Sequence, residues 1–192
     1  MTIRSSSVLE YYLAIAIGIG SSTTDTPVSP DTTVRQVDQS GVTYGLSAGA
    51  RYGLFAGEIG YMWLPKYHAY AEGNNPPRSA TQDITGQAFF ARALIQAPQT
   101  WKVQPYAFLG AARVNAKNHE VGQCATCGPG YVPDWHSETS ATVPYYGAGL
   151  SVPLGQHWAA RAEFGMLPRA VDSQWTGQRD YRIGTIGVAY RF

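Results

Sequence analysis

The sequence contains few charged residues. Asp, Glu, Lys and Arg make up 14% of the 192 residues and the formal net charge is +1, whereas about a quarter of the residues of a typical soluble domain are charged. A chain with so little net charge has no basic surface for nucleic acid, so we expect no nucleic-acid partner. The surface of the folded protein must be largely uncharged.

The sequence also lacks an apolar run of the roughly 20 residues that a membrane-spanning helix needs. The nearest candidate is the short stretch "YYLAIAIGIG" at 11–20. Its odd positions are large and apolar and its even positions are mostly Ala or Gly, a period of two that is typical of a strand. A signal peptide is the alternative, since Arg4 lies upstream, but Glu10 and the two tyrosines fit that interpretation poorly.

The same alternation recurs in seven further segments of similar length: 42–52, 55–63, 86–95, 106–115, 142–152, 158–166 and 184–192. One face of each segment is large and apolar, and the other is small with isolated charges. Eight such strands predict an all-β fold, an eight-stranded antiparallel up-and-down transmembrane β-barrel in the bacterial outer membrane. Such barrels have an even strand number, so 11–20 counts as the first strand. A soluble β-sandwich or β-barrel is the alternative.

The connections between these segments alternate in length. Four long ones, at 21–40, 65–83, 116–141 and 168–180, alternate with three short ones, at 53–54, 97–104 and 153–157. This asymmetry predicts four long extracellular loops and three short periplasmic turns, with both termini on the periplasmic side. We expect an N-terminal tail at 1–8 and a barrel domain at 9–192. Aromatic girdles are predicted from Tyr11, Tyr52, Phe55, Trp63, Tyr106, Trp158, Phe164 and Phe192.

The small face of the strands carries the isolated charges, so these are predicted to point into the lumen. The segment 106–115 is the least clear; its alternation places Tyr106 and Phe108 outside and Arg113 inside. The lumenal charges are interpreted as paired plugs, or alternatively as the gate of a narrow pore. They are Arg51, Glu58, Arg92, Arg161, Glu163 and Arg191.

Three stretches carry a family resemblance: "AGEIGYMWL" (56–64), "FFARALI" (89–95) and the terminal "TIGVAYRF" (185–192). With the order and parity of the strands, they resemble the transmembrane domain of the outer-membrane protein A family. The resemblance implies a lumenal ion pair of Glu58 with Arg161, and places Arg92 where the family has a lumenal Lys. Ser151 and Ala16 stand where the family has further lumenal charges. The closing Phe192 matches the signal that barrel-assembly machinery reads.

Two motifs invite a chemical interpretation. "CATC" at 124–127 lies in the longest predicted loop, where a local disulfide between Cys124 and Cys127 is favoured over a redox or metal site. His119 and His136 are conceivable further ligands of such a metal site, although the spacing matches no standard pattern. "DWHSETS" at 134–140 contains His, Ser and Glu, the groups used by outer-membrane lipid A deacylases. Because the three are consecutive in a predicted loop, they cannot converge on a substrate.

The sequence therefore predicts a structural, surface-exposed outer-membrane protein that is not an enzyme, with no catalytic residues, metal or cofactor. Its expected partners are outer-membrane lipids and lipopolysaccharide, the barrel-assembly machinery through Phe192, and an extracellular ligand at the loops. The alternatives are a small gated channel and a lipid A-modifying enzyme. No basic run in the loops supports heparin binding.

Overall fold

The computed structural model describes residues 9–24, 32–38, 40–74, 77–124, 134–173 and 177–192. These residues form ten strands of one antiparallel sheet. The strands are β1 (Leu9–Thr24), β2 (Thr32–Asp38), β3 (Ser40–Tyr52), β4 (Phe55–Trp63), β5 (Tyr67–Asn74), β6 (Pro77–Gln96), β7 (Gln104–Cys124), β8 (Asp134–Pro153), β9 (Trp158–Ser173) and β10 (Gly177–Arg191). None of the described residues belongs to a helix long and apolar enough to cross a membrane.

The sheet closes on itself. Its strands are paired in the order β2-β5-β6-β4-β3-β1-β10-β9-β8-β7, and an additional pairing joins β7 to β6. The chain passes along the barrel wall eight times, because β2 and β3 belong to one pass and β4 and β5 to another. The predicted eight-stranded antiparallel barrel is thus confirmed. The ambiguous stretch at 11–20 lies within β1, which pairs with β3 on one side and with β10 on the other.

A proline divides one of the eight passes into β4 and β5. Pro65 is buried and has no N–H to donate to a ladder. Its ring packs against the backbone at Gly20 and Gly41, where a Cβ added to either glycine would lie 2.9 Å from a Pro65 carbon. Above this level β2 pairs with β5 and, among the described residues, not with β1. Within the described residues, the pass formed by β2 and β3 therefore pairs with β1 only through β3, and this pairing ends near the level of Pro65.

The predicted faces hold for seven of the eight passes, and the exposed outer face is a continuous apolar belt. The interpretation of 106–115 was wrong. Tyr106 is 4% exposed and points into the lumen with Phe108, whereas Leu109 is 66% exposed. Arg113 points outward and its guanidinium donates to the Ser140 hydroxyl at 3.2 Å. Of the predicted girdle aromatics, all but Tyr106 are exposed.

Much of the chain predicted as long loops is strand. β6, β7 and β8 have 20, 21 and 20 residues, about twice the 9–11 that a membrane strand needs. Their far ends, which lie away from the short turns, have a polar outer face that includes Asp83, Lys117 and Glu138. The alternation test missed them because neither face there shows the large apolar residues that it relies on. The barrel thus continues beyond its apolar belt as a β extension.

In the half of the barrel nearer the extension, an apolar core fills the lumen. Leu64, Ile84, Val114, Leu167 and Ile183 are among its members, and each is nearly or fully buried. Phe90 and Tyr145 also belong to it and meet edge to face at 5.3 Å between ring centres. Small lumenal residues were predicted along all strands, but here large apolar side chains pack across the barrel.

Glycines on the lumenal face make room for aromatic rings of neighbouring strands. Gly149 lies directly opposite Tyr106, and Gly147 opposite Phe108. A Cβ at Gly149 would overlap the Tyr106 phenol, and one at Gly147 would lie 2.5 Å from the Phe108 ring. These glycines are needed because eight strands enclose only enough space for side chains to fill.

The corrected face of β7 can be tested by adding a charge to its outer side. Leu109→Arg places a cation in the apolar belt and should lower the free energy of unfolding by about 2–4 kcal/mol. Asn115→Arg lies on the same face of the same strand, six residues toward the extension, and should change stability little. Chemical unfolding in lipid vesicles gives both values. Equal effects of the two substitutions would contradict the position of the belt on β7.

Candidate functional site

Four charged side chains from three strands meet in the middle of the lumen. Glu58 on β4 is the direct cross-strand partner of Arg92 on β6. Arg161 and Glu163 are two residues apart on β9, so they share its lumenal face. We call these four residues the lumenal quartet. The sequence predicted that each points inward, and the structure brings all four into contact.

Glu58 is shared by both arginines. Its carboxylate accepts hydrogen bonds from Arg92 Nε at 2.8 Å and from Arg161 Nη1 at 2.9 Å. A third bond comes from the Ser47 hydroxyl at 2.6 Å. The Glu58 side chain is completely buried, so these donors replace the water that the carboxylate loses.

Glu163 completes the quartet from the opposite side of the lumen. Arg92 donates to it through both terminal nitrogens, at 2.6 and 2.8 Å, in a bidentate arrangement. Arg161 Nη2 lies 3.6 Å from the same carboxylate. The phenol groups of Tyr106 and Tyr145 donate to Glu163 at 3.0 and 3.1 Å.

Aromatic rings surround the two guanidinium groups. The Arg92 guanidinium carbon lies 4.2 Å from the ring centre of Phe108 and 5.0 Å from that of Phe90. The Arg161 guanidinium carbon lies 5.0 Å from the ring centre of Tyr106. Guanidinium groups are attracted to such faces, and the attraction grows when water is excluded. The rings therefore hold the cations in the lumen while the carboxylates neutralise them.

The quartet is balanced, with two positive and two negative groups. The sequence paired Glu58 with Arg161 by family resemblance and found Ser151 where a further acid was expected. In the structure Glu163, from the neighbouring strand, supplies the second carboxylate. Arg51 lies apart, at the end with the short turns, where it donates to the Gly53 and Ala97 carbonyls at 3.0 and 2.9 Å.

Two small cavities flank the quartet. One of about 50 Å³ lies on the side of the apolar core and is lined by Ala14, Ser47 and Thr185 together with quartet residues. The other, of about 30 Å³, lies toward the short turns beside Tyr12, Ser151 and Arg191. Each holds at most a few waters, since one water occupies about 10–15 Å³ on this measure. Arg161 borders both.

The quartet consists of two carboxylates and two guanidinium groups, so its own chemistry is that of charge pairing. Each carboxylate lies within 4 Å of both guanidinium groups. An arginine can therefore exchange one carboxylate for the other with a small movement. This arrangement suits ion pairs that close the lumen, and it also suits a gate in which an arginine changes its carboxylate partner.

The remaining predicted motifs lie elsewhere. Cys124 ends β7, and Cys127 lies outside the described residues, so the disulfide stays a prediction. His136, Ser137 and Glu138 belong to β8 rather than to a loop, which corrects the sequence interpretation. Consecutive strand residues point to opposite faces, so these three still do not converge. Glu138 pairs instead with Lys117, at 3.0 Å across the strands.

Sequence analysis missed Tyr106, Phe108 and Tyr145 as neighbours of the quartet. A usable signal was present: β8 carries Gly147 and Gly149 on its lumenal face, and rings must come from an adjacent strand to fill that space. Both faces of β7 hold apolar residues, so its own alternation was ambiguous.

Comparison with known proteins agrees with this fold. The family model described as "Outer membrane protein beta-barrel domain" matches residues 2–192. The chain belongs to this outer-membrane β-barrel family. Its fold resembles OprG of Pseudomonas aeruginosa, with 11% identity, a TM-score of 0.66, and coverage of 100% of this chain and 99% of that one. Neisserial surface protein A gives 14% identity and a TM-score of 0.57, with coverage of 95% and 97%.

The attachment invasion locus protein Ail of Yersinia pestis gives 15% identity and a TM-score of 0.56, covering 95% of this chain and 98% of that one. No curated protein matches the sequence. The predicted resemblance to outer-membrane barrels and the predicted outer-membrane location are thereby confirmed. At these identities the structures establish the fold alone.

Removing one charge from the lumenal quartet should strongly destabilise this outer-membrane barrel, because a buried charge is left without its partner. Glu58→Ala leaves Arg92 and Arg161 with one carboxylate between them, and breaking such a buried pair costs about 3–5 kcal/mol. Glu138→Ala removes an exposed pair and should cost less than about 1 kcal/mol. Adding Arg161→Ala to Glu58→Ala restores charge balance, so the double variant should be less destabilised than the sum of the single ones. Equal effects of Glu58→Ala and Glu138→Ala would contradict this role.

Glu120 is a second buried acid, located in the β extension four residues before the end of β7. It is 5% exposed, and its Oε1 has no hydrogen-bond partner among the described residues. Burial raises the pKa of Glu120 above its ordinary value. The folded protein therefore binds this proton more tightly than the unfolded chain does. The contribution of Glu120 to stability therefore falls as pH rises from the ordinary Glu pKa, about 4.3, through the raised folded value.

Glu120→Gln should remove this part of the pH dependence. Above the raised pKa the variant should be more stable than the wild type, because it no longer buries an ionised carboxylate. Glu138→Gln, on an exposed residue, provides the matched control. Unfolding midpoints measured from pH about 4 to 8 test the expectation. The expectation would be refuted if the stability of the wild type, measured relative to that of Glu120→Gln, did not fall over this pH range.

Proposed function

We propose that this protein is a closed outer-membrane barrel that presents its β extension at the cell surface for ligand binding. The observation that carries the proposal is that side chains occupy the lumen at two successive levels. The charged quartet lies at mid-height, and the apolar core lies between it and the extension. A water-filled path would have to pass both, and the apolar core offers an ion no compensation for its lost hydration.

The extension supports the surface part of the proposal. In outer-membrane barrels the short turns face the periplasm and the longer connections face outward. The strands of this protein continue past the apolar belt on that side with polar, solvent-exposed outer faces. Ail, one of the similar barrels, has been solved in complex with the heparin analogue sucrose octasulfate. This chain has no run of basic residues in the corresponding segments, so its sequence gives no support for binding of such a polyanion.

Membrane lipids, lipopolysaccharide and the assembly machinery remain the proposed partners of the barrel itself. Exposed apolar side chains on the belt suit lipid contact. Phe192 is 69% exposed at the rim beside the short turns, and its N–H donates to the Tyr11 carbonyl at 3.0 Å. An exposed aromatic side chain at this rim is accessible to an assembly factor. Undiminished outer-membrane insertion in cells after Phe192 deletion would exclude this role.

A gated channel is the second candidate, favoured by the sharing of both carboxylates between two arginines. We expect no enzymatic activity, because the His, Ser and Glu of the DWHSETS motif do not converge on one face of β8.

Conductance across planar bilayers separates the closed barrel from the channel. The wild type should give no steady current. Glu58→Ala should also give none if the apolar core is the main barrier. If the quartet is a gate, Glu58→Ala should open an anion-selective current, because the remaining lumenal charge is positive. Large, steady wild-type currents would overturn the closed-barrel proposal.

A further inference from the structure

Two histidines and an aspartate meet on the outer face of the β extension. His119 on β7 is the direct cross-strand partner of His136 on β8. Asp134 lies two residues before His136, so it shares the same face of β8. The register therefore fixes three potential ligands on two adjacent strands. The sequence considered the two histidines only as partners of the cysteines.

The three side chains are already directed at one another. His119 Nε2 lies 2.9 Å from Asp134 Oδ1, and His136 Nδ1 lies 3.4 Å from the same oxygen. The two imidazole rings are stacked, with 4.3 Å between their centres and 21° between their planes. One ligand atom from each residue lies within 4.8 Å of the others, and all three residues are exposed.

We propose that His119, Asp134 and His136 form a surface site for a divalent transition-metal ion, with zinc as the reference ion. Zinc bonds to His nitrogen and carboxylate oxygen are about 2.0–2.2 Å long, which requires ligand atoms about 3.3–3.5 Å apart in a tetrahedral site. Two of the separations here are close to that value. A small rotation of exposed side chains closes the third.

The donor set selects the class of ion. Two imidazole nitrogens with one carboxylate suit zinc, copper or nickel, whereas magnesium and calcium prefer oxygen ligands throughout. Three protein ligands leave a position for water or for a donor from another molecule. The site faces outward from the extension, so such a donor can reach it from solvent.

A second histidine–carboxylate pair lies beside the site and provides a matched control. Asp83 on β6 is the cross-strand partner of His119, and His68 on β5 is the cross-strand partner of Asp83. The pair therefore lies on the next two strands, level with the proposed site. His68 Nδ1 lies 2.7 Å from Asp83 Oδ1. Asp83 is also near Lys66, whose Nζ lies 3.7 Å away. This pair has two ligand groups and an adjacent cation, so it should bind metal poorly.

The test is calorimetric titration of ZnCl2 into the refolded, untagged full chain in detergent, after treatment with a chelator. We expect one zinc per chain. His119→Gln, His136→Gln and Asp134→Asn should each weaken binding at least about tenfold, the lower end of the effect seen even for residues that only orient a ligand. His68→Gln should leave the affinity within about twofold. A cobalt(II) titration should give the visible absorption of a four-coordinate ion, lost in the same three variants.

Three results would overturn the proposal: no zinc binding tighter than millimolar, binding that survives in the His119→Gln/His136→Gln double variant, or binding that is lost in Cys124→Ser/Cys127→Ser. The last would assign the metal to the cysteines. Because the three ligands are exposed and outside the core, the variants should fold, and gel mobility with and without boiling verifies this. The result is independent of whether the lumen conducts.

Discussion

The Arg92 guanidinium lies between the carboxylates of Glu58 and Glu163, and this contact joins opposite walls of the barrel. Glu58 comes from the strand adjacent to Arg92, whereas Glu163 comes from the far side of the lumen. An arginine does not lose its proton in a protein, so an inward Arg92 needs a counter-charge wherever it points. The bidentate bond to Glu163 meets that need and limits how far β6 and β9 can separate.

The packing around the quartet follows from the same contact. The aromatic rings that flank Arg92 and Arg161 need space in a lumen that eight strands keep narrow. That space comes from lumenal glycines on the neighbouring strands, such as Gly147 and Gly149 opposite Phe108 and Tyr106. The small lumenal residues at this level therefore serve the packing of the quartet. They accept rings that exclude water from the charges, which strengthens the pairing.

The strands and their faces were predictable from the sequence wherever one face is uniformly large. β1 is the clearest case, because isoleucines alternate with alanine and glycine. β7 was misread because Tyr106 and Phe108 on one face and Leu109 on the other have similar hydrophobicity. Alternation measures size and polarity, and it does not distinguish a ring that fills the lumen from one that meets lipid. The strand ends beyond the apolar belt were missed for a related reason, since both of their faces contain polar residues.

The contacts between strands were less predictable, because they depend on register. Glu58 and Arg161 were paired only through family resemblance, and the second carboxylate, Glu163, was on the correct face with no assigned partner. His119 and His136 are 17 positions apart, and nothing in their spacing shows that they are opposite each other. Their pairing depends on the β7–β8 register, and no periodic pattern in the sequence around the two histidines indicates that register.

The side chains that pack in the lumen also fix the strand register of the extension. The β6–β7 pairing runs without a shift from Gln96 opposite Tyr106 to Arg78 opposite Cys124, and the β7–β8 pairing is continuous to Asp134. A slip of one residue would turn Tyr106 and Phe108 out of the lumen and expose the quartet. The interactions that hold these rings inside therefore also hold His119 opposite His136, far along the same strands. Because the outer face of the extension adds nothing to the lumenal core, its side chains can vary in chemistry while the barrel keeps them in a fixed geometry.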